Sequence, residues 1–550
     1  MRETISHFRC LKIASLSAFS LLSLWALPVW ADELPQEGST AQSSEPVPVA
    51  GSAEPTFTIK RFVIEGSTLF KEAELQERLR EFTGRKKTAG DVEKARDVLE
   101  RYIQDKGYPT VMVNIPEQKV ESRVIRLQVI EVSVGQVTVS GNRYFSTEKV
   151  LRDLPSMAPG EIIQVQRVQK ELNRLNRHPD FKVSPNMQPG KAPETVDIEL
   201  KVADRSPVHG SLELSNRATN DTTPLRLSAS LRHDNLWQRE HSLSAQYQLS
   251  PQDIEEVQIA SGSYTLPTPW EFEQKLVFYG VWSNTDTTFG GDNHSLGKGS
   301  IVGTRLMIPL TGVGEYSHTL VAGVDYKDFE DTVNVAGIEY ATPVSYVPLS
   351  FAYSGFLRDG GGSTQFNAGL NVAFRGAVTN AQEFADKRYE SRANYLYLTA
   401  GVERNQRLPG GFTLLAKLDG QLADQPLISN EQYSAGGIDN VRGYRESESS
   451  GDDAAHGVFE LGAPNILKLA GAGEGHSLSP YIFYDAAALW TKDPLVGQER
   501  VVDLQGSGFG FRGKLFGSVD YQVDLAFAMR DTSRTMAGDS YWHFRLGYTF

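Results

Sequence analysis

From about Val208 to Phe550 the chain repeats one pattern, in which segments of roughly ten residues alternate apolar and polar side chains between turn-rich stretches. Alternation with a period of two is typical of a strand with one apolar and one polar face. We count about sixteen such segments, an even number, as in bacterial single-chain outer-membrane barrels. The pattern predicts a transmembrane β-barrel of about 16 antiparallel strands over 206–550. Representative segments are Leu225–Arg232, Ser242–Leu249, Lys275–Trp282, Gln365–Phe374, Tyr395–Glu403 and Tyr521–Met529.

The last segment shows the alternation most clearly. One face of it carries only apolar and aromatic side chains, those of Trp542, Phe544, Leu546, Tyr548 and Phe550. An aromatic chain end on such a face suits a lipid-facing strand that closes the barrel. A soluble sandwich could contain one strand of this kind, but so many of them behind an export signal favour the membrane barrel. The mean hydropathy of −0.33 does not decide between the two, because alternate residues of a barrel strand face a polar lumen.

The amino terminus, 1–31, reads as a secretory signal peptide. Arg2, Arg9 and Lys12 form a basic region, and Ile13–Leu27 is an apolar core too short to span a membrane as a helix. Val29-Trp30-Ala31 resembles a cleavage site. The next residues, 32–55, are rich in Pro, Ser, Glu and Ala and predict a disordered linker.

Cysteine content and charge exclude several classes of protein. The one cysteine, Cys10, lies in the signal, so a disulfide framework in the mature chain is excluded. The signal carries three basic residues and one acid, so its removal takes the formal net charge from −13 to about −15. Such acidity argues against a nucleic-acid partner, which would require a basic face.

Two similar modules precede the strand-rich region, over 56–132 and 133–205. Phe62–Phe70 and Val137–Phe145 each read as a β-branched strand, a glycine turn and an aromatic residue before a helix, in the order β-α-α-β-β. Gly107 is predicted to cap a helix. Strands are expected at Val111–Ile115, Val124–Val132 and Val196–Val202. The helical stripes that we interpret as core are Leu75, Leu79 and Phe82, then Val92, Ala95, Leu99 and Ile103, and in the second module Val165, Val168, Leu172 and Leu175.

A polar, glycine-rich stretch, 424–453, separates predicted strands eleven (Gly411–Leu422) and twelve (His456–Leu461) and contains Val441-Arg442-Gly443-Tyr444. In the strand after these, residue parity places Phe483, Asp485 and Ala487 on the luminal face. If the loop folds inward, Arg442 and Asp485 would form charge-assisted hydrogen bonds. If the loop stays outside, Asp485 merely lines a wet lumen. The residues alone leave both interpretations open.

The chain resembles the outer-membrane transporters of two-partner secretion, the TpsB or haemolysin secretion/activation family. Its modules resemble polypeptide-transport-associated (POTRA) domains. Val441-Arg442-Gly443-Tyr444 is similar to the family's loop signature and Phe483-x-Asp485 to its barrel-wall motif, although the family usually has glycine where this chain has Ala487. The module motifs that resemble the family's are Gly107-Tyr108 with Ile115-Pro116-Glu117-Gln118, and Leu175-Asn176, Pro179, Val183, Pro189-Gly190 and Thr195-Val196-Asp197-Ile198.

This resemblance implies a protein of the outer membrane, with its POTRA domains in the periplasm, that exports a large β-helical exoprotein without nucleotide hydrolysis. It implies an adhesin, haemolysin, toxin or haem-scavenging protein as the secreted partner, outer-membrane lipid around the barrel, insertion by the barrel-assembly machinery, and a monomer. Edge-strand pairing with a POTRA module would bind the substrate, with Leu75, Leu79 or an edge near Val124–Leu127 as candidates. Many family members carry a plug helix, but the proline-rich 32–56 lacks a helical stripe.

Three other functions are considered. A barrel-assembly insertase of the same superfamily would share the modules and the loop motif, whereas a passive channel would give the modules no purpose. An enzyme is not predicted, because the sequence has no nucleophile elbow, no paired His-x-x-x-His and no Gly-rich phosphate loop. No catalytic residue, metal or cofactor is predicted.

Overall fold

The two modules and the strand-rich region are separate parts of one chain in the computed structural model. It describes residues 55–550 apart from 121, 269, 271–272, 286, 289–294, 297, 336–337, 375, 377–380, 472 and 474. The predicted signal peptide at 1–31 and the predicted linker, save for residue 55, lie outside the described residues. Among the helices of the described residues, none combines the length and the apolar character needed to cross a membrane.

The first module packs two helices on a three-stranded sheet of order β2-β5-β4. Short strands β1 and β3 form a separate ribbon that the pattern β-α-α-β-β omitted, because three or four residues carry too little periodicity. Its elements are β1 (Phe57–Ile59), β2 (Arg61–Glu65), α1 (Glu72–Arg78), a 3-10 turn (Arg80–Phe82), β3 (Gly84–Lys87), α2 (Ala89–Asp105), β4 (Val111–Asn114) and β5 (Val124–Glu131).

Helix α2 has the C-terminal end and the buried face that its sequence predicts, and a capping box at its start. The Thr88 hydroxyl accepts a hydrogen bond from the backbone N–H of Asp91, whose carboxylate accepts from the N–H of Thr88 in return, which is a capping box. Gly107 follows the helix with φ +97°, as a C-terminal cap requires. The predicted stripe on α2 is buried. The expectation of an edge strand near Val124–Leu127 is wrong, because β5 lies between β2 and β4.

The second module has the predicted order β-α-α-β-β, with a sheet of order β6-β8-β7. A buried apolar cluster around Phe145, Leu175 and Leu200 lies between its helices and the sheet. Its elements are β6 (Ser133–Ser140), α3 (Thr147–Arg152), a 3-10 turn (Pro155–Met157), α4 (Val165–Leu175), β7 (Phe181–Pro189) and β8 (Thr195–Asp204).

Each module contains the same glycine turn after its first long strand. Gly66 has φ +85° and a Cβ there would lie 2.4 Å from the carbonyl oxygen of Val129. Gly141 has φ +84° and a Cβ would lie 2.4 Å from the carbonyl oxygen of Val202. The repeated glycine is therefore required twice over, by backbone conformation and by the close approach of the neighbouring strand.

A carboxylate at the end of each module's last strand completes this turn. Glu131 accepts hydrogen bonds from the backbone N–H groups of Thr68 at 2.7 Å and Leu69 at 3.1 Å. Asp204 accepts from those of Tyr144 at 2.7 Å and Phe145 at 2.9 Å. These bonds satisfy backbone N–H groups of the turn that lies between the strand and the following helix.

Replacing Gly66 with alanine is expected to destabilise the first module by about 2 kcal/mol or more, because the residue would have both a positive φ and a backbone clash. Hydrogen-exchange mass spectrometry of the full-length protein should show faster exchange of peptides from 57–131. Gly90→Ala is the matched control, since a Cβ there comes no closer than 3.6 Å to any other atom. Equal exchange in the two variants would contradict the proposed requirement for glycine.

The strand-rich region is a closed antiparallel barrel, and its sixteen-strand wall confirms the predicted fold class. The strands of the barrel wall are β9 (Val208–Ser215), β10 (Arg226–Leu236), β11 (His241–Leu249), β12 (Gln258–Pro267), β13 (Lys275–Ser283), β16 (Gly299–Pro309), β17 (Tyr316–Val335), β18 (Ile338–Tyr346), β19 (Pro348–Asp359), β20 (Gly362–Ala373), β21 (Leu396–Arg407), β22 (Thr413–Ala423), β25 (Asp453–Gly462), β26 (Ser477–Trp490), β27 (Val501–Leu515), β28 (Val519–Ala528) and β29 (Ser540–Thr549). Because β18 and β19 follow one another along the long β17, they count as one interrupted strand of the wall.

Two small hairpins lie in the connections between wall strands. They are β14 (Thr287–Thr288) with β15 (Ser295–Leu296), and β23 (Tyr433–Ala435) with β24 (Ser449–Gly451).

Short helices lie only in the connections of the described barrel. They are α5 (Ala381–Lys387) between β20 and β21, α6 (Ile466–Leu469) between β25 and β26, and 3-10 turns at Pro409–Gly411 and Ser429–Glu431. Because β9 follows the second module directly, alternate connections lie on the side of the modules and on the opposite side. The connection that holds α5 and the one between β22 and β25 are both on the opposite side.

The last strand closes the barrel by pairing with β9, with Arg545–Thr549 opposite Ser211–Ser215. Its side chains alternate as predicted, since Trp542 and Leu546 are 58% and 46% exposed while His543 is buried. The Phe550 ring covers Gly210, where a Cβ would overlap it. The exposed apolar face is the one that lipid would contact.

The second module docks on the first of the barrel turns that lie on its own side, the β10–β11 turn, through buried charge. The ammonium of Lys149, 1% exposed, lies 2.6 Å from carboxylate oxygens of Asp153 and of Glu240 in the β10–β11 turn. Burial raises the pKa of Asp180, but hydrogen bonds from His209 and Arg205 outweigh it and hold that pKa below its ordinary value. These contacts attach the module firmly to the barrel wall.

Candidate functional site: the inward-folded loop

Residues 424–452, which connect β22 to β25, fold into the barrel and are called the inward loop. Its base is the hairpin β23–β24. From 425 to 444 every residue except Ser429 and Asp439 is buried. A loop lying outside the barrel would be exposed. Of the two arrangements that the sequence left open, loop inward or loop outside, the structure therefore has the inward one.

Arg442 at the tip of the loop is 2% exposed and is held by two carboxylates of the barrel wall. Its Nε and Nη2 donate to the two carboxylate oxygens of Asp485 at 2.6 Å and 2.7 Å. Its backbone N–H also donates to Asp485, at 3.1 Å, and Nη1 donates to Glu460 at 2.7 Å. Its guanidinium carbon lies 3.5 Å from the centroid of the Phe483 ring. A planar guanidinium that binds a carboxylate through two parallel N–H groups while stacking on a ring is an arrangement that a lysine ammonium cannot reproduce.

The wall around Arg442 forms a larger charged cluster than the sequence indicated. Asp524 on β28 lies 3.8 Å from Arg442 Nη1 and accepts a hydrogen bond from the Tyr481 hydroxyl. Arg512 on β27 donates to Glu460. Three acids and two arginines from the loop and four adjacent strands therefore form one cluster with a formal charge of −1. Arg442, Asp485 and Asp524 are buried within it, so removal of the arginine leaves buried acids uncompensated.

Gly443 brings the loop backbone against the last two strands. Its φ is +99°, and a Cβ would lie 2.9 Å from the backbone nitrogen of Ala528. Its N–H donates to Nε2 of the buried His543 on β29 at 3.1 Å, which makes Nε2 an acceptor and places any proton of a neutral ring on Nδ1. Glycine is thus needed here for both conformation and space.

Tyr444 holds the loop against β27 and β28 at their ends on the side opposite the modules. Its hydroxyl lies 3.0 Å and 2.9 Å from the carbonyl oxygens of Gln505 and Arg530, and it accepts from the N–H of Arg530 at 3.1 Å. Its ring belongs to a buried cluster with Val441 and Ala487. All four residues of the motif therefore contact the wall, each by a different kind of interaction.

Ala487, at the position where the resemblance implies glycine, lies in that cluster, and the pairing of Arg442 with Asp485 is present despite its methyl group. The loop backbone also comes close to the wall at Gly506, which is opposite Asp485 in the β26–β27 register. A Cβ at Gly506 would lie 1.8 Å from the carbonyl oxygen of Arg442. Glycine at 506 therefore leaves room in the wall for the backbone of the loop at Arg442.

The inward loop also contacts the beginning of the barrel. Arg217, just after β9, forms ion pairs with Asp439 at 2.7 Å and Glu446 at 3.4 Å. The paired register between β9 and β29 ends at Ser215, and just beyond it both the backbone N–H and the side-chain oxygen of Asn216 hydrogen-bond to the backbone of Phe544 on β29. The loop is thus fixed to both strands that close the barrel.

The predicted site residues fall into two groups. The structure brings together Val441, Arg442, Gly443, Tyr444, Phe483, Asp485 and Ala487, whereas Phe544, Leu546, Tyr548 and Phe550 lie on the closing strand. Sequence reasoning missed Glu460, Asp524 and Arg512. Parity could have placed each of them on the luminal face, but their convergence on Arg442 depends on the register of adjacent strands.

One further group of possible ligand atoms lies at the junction of module and barrel. Carboxylate oxygens of Asp180 and Asp234 and a ring nitrogen of His209 all lie within 4.8 Å of one another. Arg205 donates to Asp180 and Arg232 to Asp234. Because arginines already neutralise both carboxylates, we assign no metal to this group.

Comparison with known families decides the identity of this fold. The family model described as haemolysin secretion/activation protein ShlB/FhaC/HecB matches residues 194–513, and the model of the ShlB-type POTRA domain matches residues 57–131. The chain belongs to the ShlB/FhaC/HecB family. The recognition of that family is confirmed, and so is the location, an outer-membrane barrel with POTRA domains in the periplasm.

Individual relatives agree with this assignment. The outer membrane transporter CdiB of Dickeya dadantii (strain 3937) is 26% identical over 385 residues, which cover 66% of this chain and 64% of that protein. The match thus spans somewhat less than two thirds of that relative's length.

Solved structures show the same fold. CdiB from Escherichia coli has a TM-score of 0.60 at 16% identity, covering 92% of this chain and 93% of that one. CdiB from Acinetobacter baumannii has a TM-score of 0.54 at 15% identity and 91% coverage of both chains. BamA from Haemophilus ducreyi lacking POTRA domains 1-3 has a TM-score of 0.55 at 15% identity, covering 90% of this chain and all of that one.

Proposed function

We propose that this protein exports a large β-helical exoprotein across the outer membrane through the barrel lumen, as a two-partner secretion transporter. Membership of the haemolysin secretion/activation family supports the proposal. The observation that carries it is the inward loop, whose tip is held in the lumen by Arg442 on Asp485 and Glu460. A passive channel needs neither a loop fastened in this way nor modules in the periplasm.

We further propose that the POTRA domains receive the exported chain by adding its backbone to an exposed strand edge. The edge of β2 suits this best, since β2 pairs only with β5 in the part of the chain that the structure describes. The edge of β4 is less suitable because the Val113 N–H already donates to Glu100 at 2.8 Å. Pro185 and Pro189 weaken the edge of β7, since proline has no N–H to donate.

In this proposal the barrel acts as a monomer surrounded by outer-membrane lipid, after insertion by the barrel-assembly machinery. The exoprotein is of the adhesin, haemolysin, toxin or haem-scavenging type. No hydrolysis of nucleotide is required, because folding of the exported chain outside the cell would oppose its return.

Deletion of this gene tests the proposal. Comparison of secreted fractions with and without the gene should show loss of one large protein, restored by the wild-type chain. The barrel-assembly alternative, which the likeness to BamA keeps in view, predicts instead that many outer-membrane barrels are depleted. Unchanged secretion with intact barrels would exclude both functions.

A further inference from the structure

The base of the inward loop is held by one fully buried carboxylate, that of Asp452. A carboxylate in a dry site requires several donors, and this one has five. They are Nη1 and Nη2 of Arg388 at 2.6 Å and 2.7 Å, the N–H groups of Leu427 at 2.9 Å and Lys492 at 2.7 Å, and the side-chain amide of Gln432 at 3.1 Å.

The only charged residue that supplies any of these five donors, Arg388, belongs to a different extracellular connection, the one that holds α5. Arg388 follows α5 directly and its N–H donates to the carbonyl of Phe384 at 3.0 Å. Phe384 is fully buried, with its ring centroid 5.3 Å from that of Tyr346 and 6.2 Å from that of Tyr395. Helix α5, Arg388 and these rings therefore form one packed body on the extracellular side.

The same body holds the loop at a second point. Glu431, buried at the start of the inward loop, accepts hydrogen bonds from the hydroxyls of Tyr346 at 2.5 Å and Tyr397 at 2.8 Å. It also pairs with Lys327 on β17 at 2.6 Å. At its base the loop has two acids, Asp452 and Glu431, which pair with Arg388 and Lys327. At its tip it has one cation, Arg442, which pairs with acids of the barrel wall.

We propose that Arg388 is a positioning residue for Arg442, so that the α5 segment and the inward loop move together. If α5 left its place without the loop, Asp452 would stay buried without its charged partner, which is costly. Displacement of α5 by a chain emerging on the extracellular side would therefore release the loop, and a loop fixed at Arg442 holds α5 in place. The coupling of α5 to the inward loop would let an event on the extracellular side control the loop. Only the biological purpose of this coupling rests on the proposed function.

Cysteine labelling can measure the position of the loop directly. The sole cysteine, Cys10, lies within the predicted signal, so Ser434→Cys introduces a single reporter in β23. Ser434 is 4% exposed, so a membrane-impermeant maleimide applied to whole cells should label this cysteine slowly. Arg388→Ala in this background is expected to raise the labelling rate about tenfold or more, towards that of Arg442→Ala.

Arg392→Ala is the matched control. Arg392 belongs to the same connection and its side chain is exposed. The side-chain amide of Gln425 donates to the backbone carbonyl of Arg392 at 2.8 Å, and the substitution keeps this hydrogen bond. Labelling of Arg388→Ala within about twofold of Arg392→Ala would overturn the inference. If heat-modifiability shows that Arg388→Ala does not fold, Arg388→Lys replaces it, with an intermediate rate expected and a wild-type rate overturning the inference.

The readout distinguishes this inference from the proposed function. Labelling unchanged by Arg388→Ala, together with export abolished by Arg442→Ala, would refute the coupling and leave the export function in place. Faster labelling in both variants, with export intact, would establish the coupling and refute the role of the inward loop in export.

Discussion

Arg442→Ala is expected to abolish export of the partner protein while leaving a folded barrel in the outer membrane. The substitution leaves Glu460, Asp485 and Asp524 close together without their central cation, which disfavours the inward loop position by about 3–5 kcal/mol. The barrel itself persists because its strand ladder and lipid face do not involve this residue. The measurements are the amount of secreted partner and the heat-modifiable mobility of the barrel.

Two other variants test whether this result depends on the position of Arg442 and on the shape of its guanidinium. Arg445→Ala is the control, since Arg445 is the next arginine of the loop and lies over the Tyr541 ring at 5.8 Å rather than on the acids. Arg442→Lys keeps the charge but cannot form the fork on Asp485, so it should export far less than wild type. Normal secretion by Arg442→Ala would refute the role of the loop in export.

Exchanging the charges of Arg442 and Asp485 is a weaker test than the sequence suggests. From the two residues alone, a swap should restore the pair. In the structure, an aspartate at 442 would face Glu460, which now lies 2.7 Å from the guanidinium. We therefore expect the double variant to remain inactive, and its failure would not argue against the pairing.

Gly506→Ala is expected to displace the inward loop without changing any charge. The added Cβ would lie 1.8 Å from the carbonyl oxygen of Arg442, whereas such a contact needs roughly 3.3 Å. The backbones of a barrel strand and of a loop held by several ion pairs cannot both remain in place, and overpacking of this kind costs about 1–3 kcal/mol or more. Export should fall strongly, and a cysteine at Ser434 should label faster.

Gly547→Ala is the matched control for this substitution. Gly547 also lies on a barrel strand, on the face of His543, but the nearest atom to its Cβ would be the carbonyl oxygen of Asp520 at 4.0 Å. It should therefore export normally. If Gly506→Ala exported as well as Gly547→Ala, the loop would not need the close contact with the wall that the structure shows.

Much of the architecture could be predicted because it depends on local periodicity. The alternation on the last strand indicated the closing strand, and the stripe that includes Leu99 and Ile103 indicated a packed helix. The β1–β3 ribbon was missed because it is too short for a period, and β5 was misplaced at an edge because strand order is not encoded locally.

The sequence by itself determined which residues face the lumen, since parity along a strand follows from backbone geometry. It also provided the motif around Arg442 and a candidate acid, Asp485. Only the tertiary structure decided that the loop folds inward, that Glu460 and Asp524 join the pair, and that Gly506 leaves room for the loop. The physical reason is that these features depend on strand register and on distances between segments far apart in sequence, which no local pattern records.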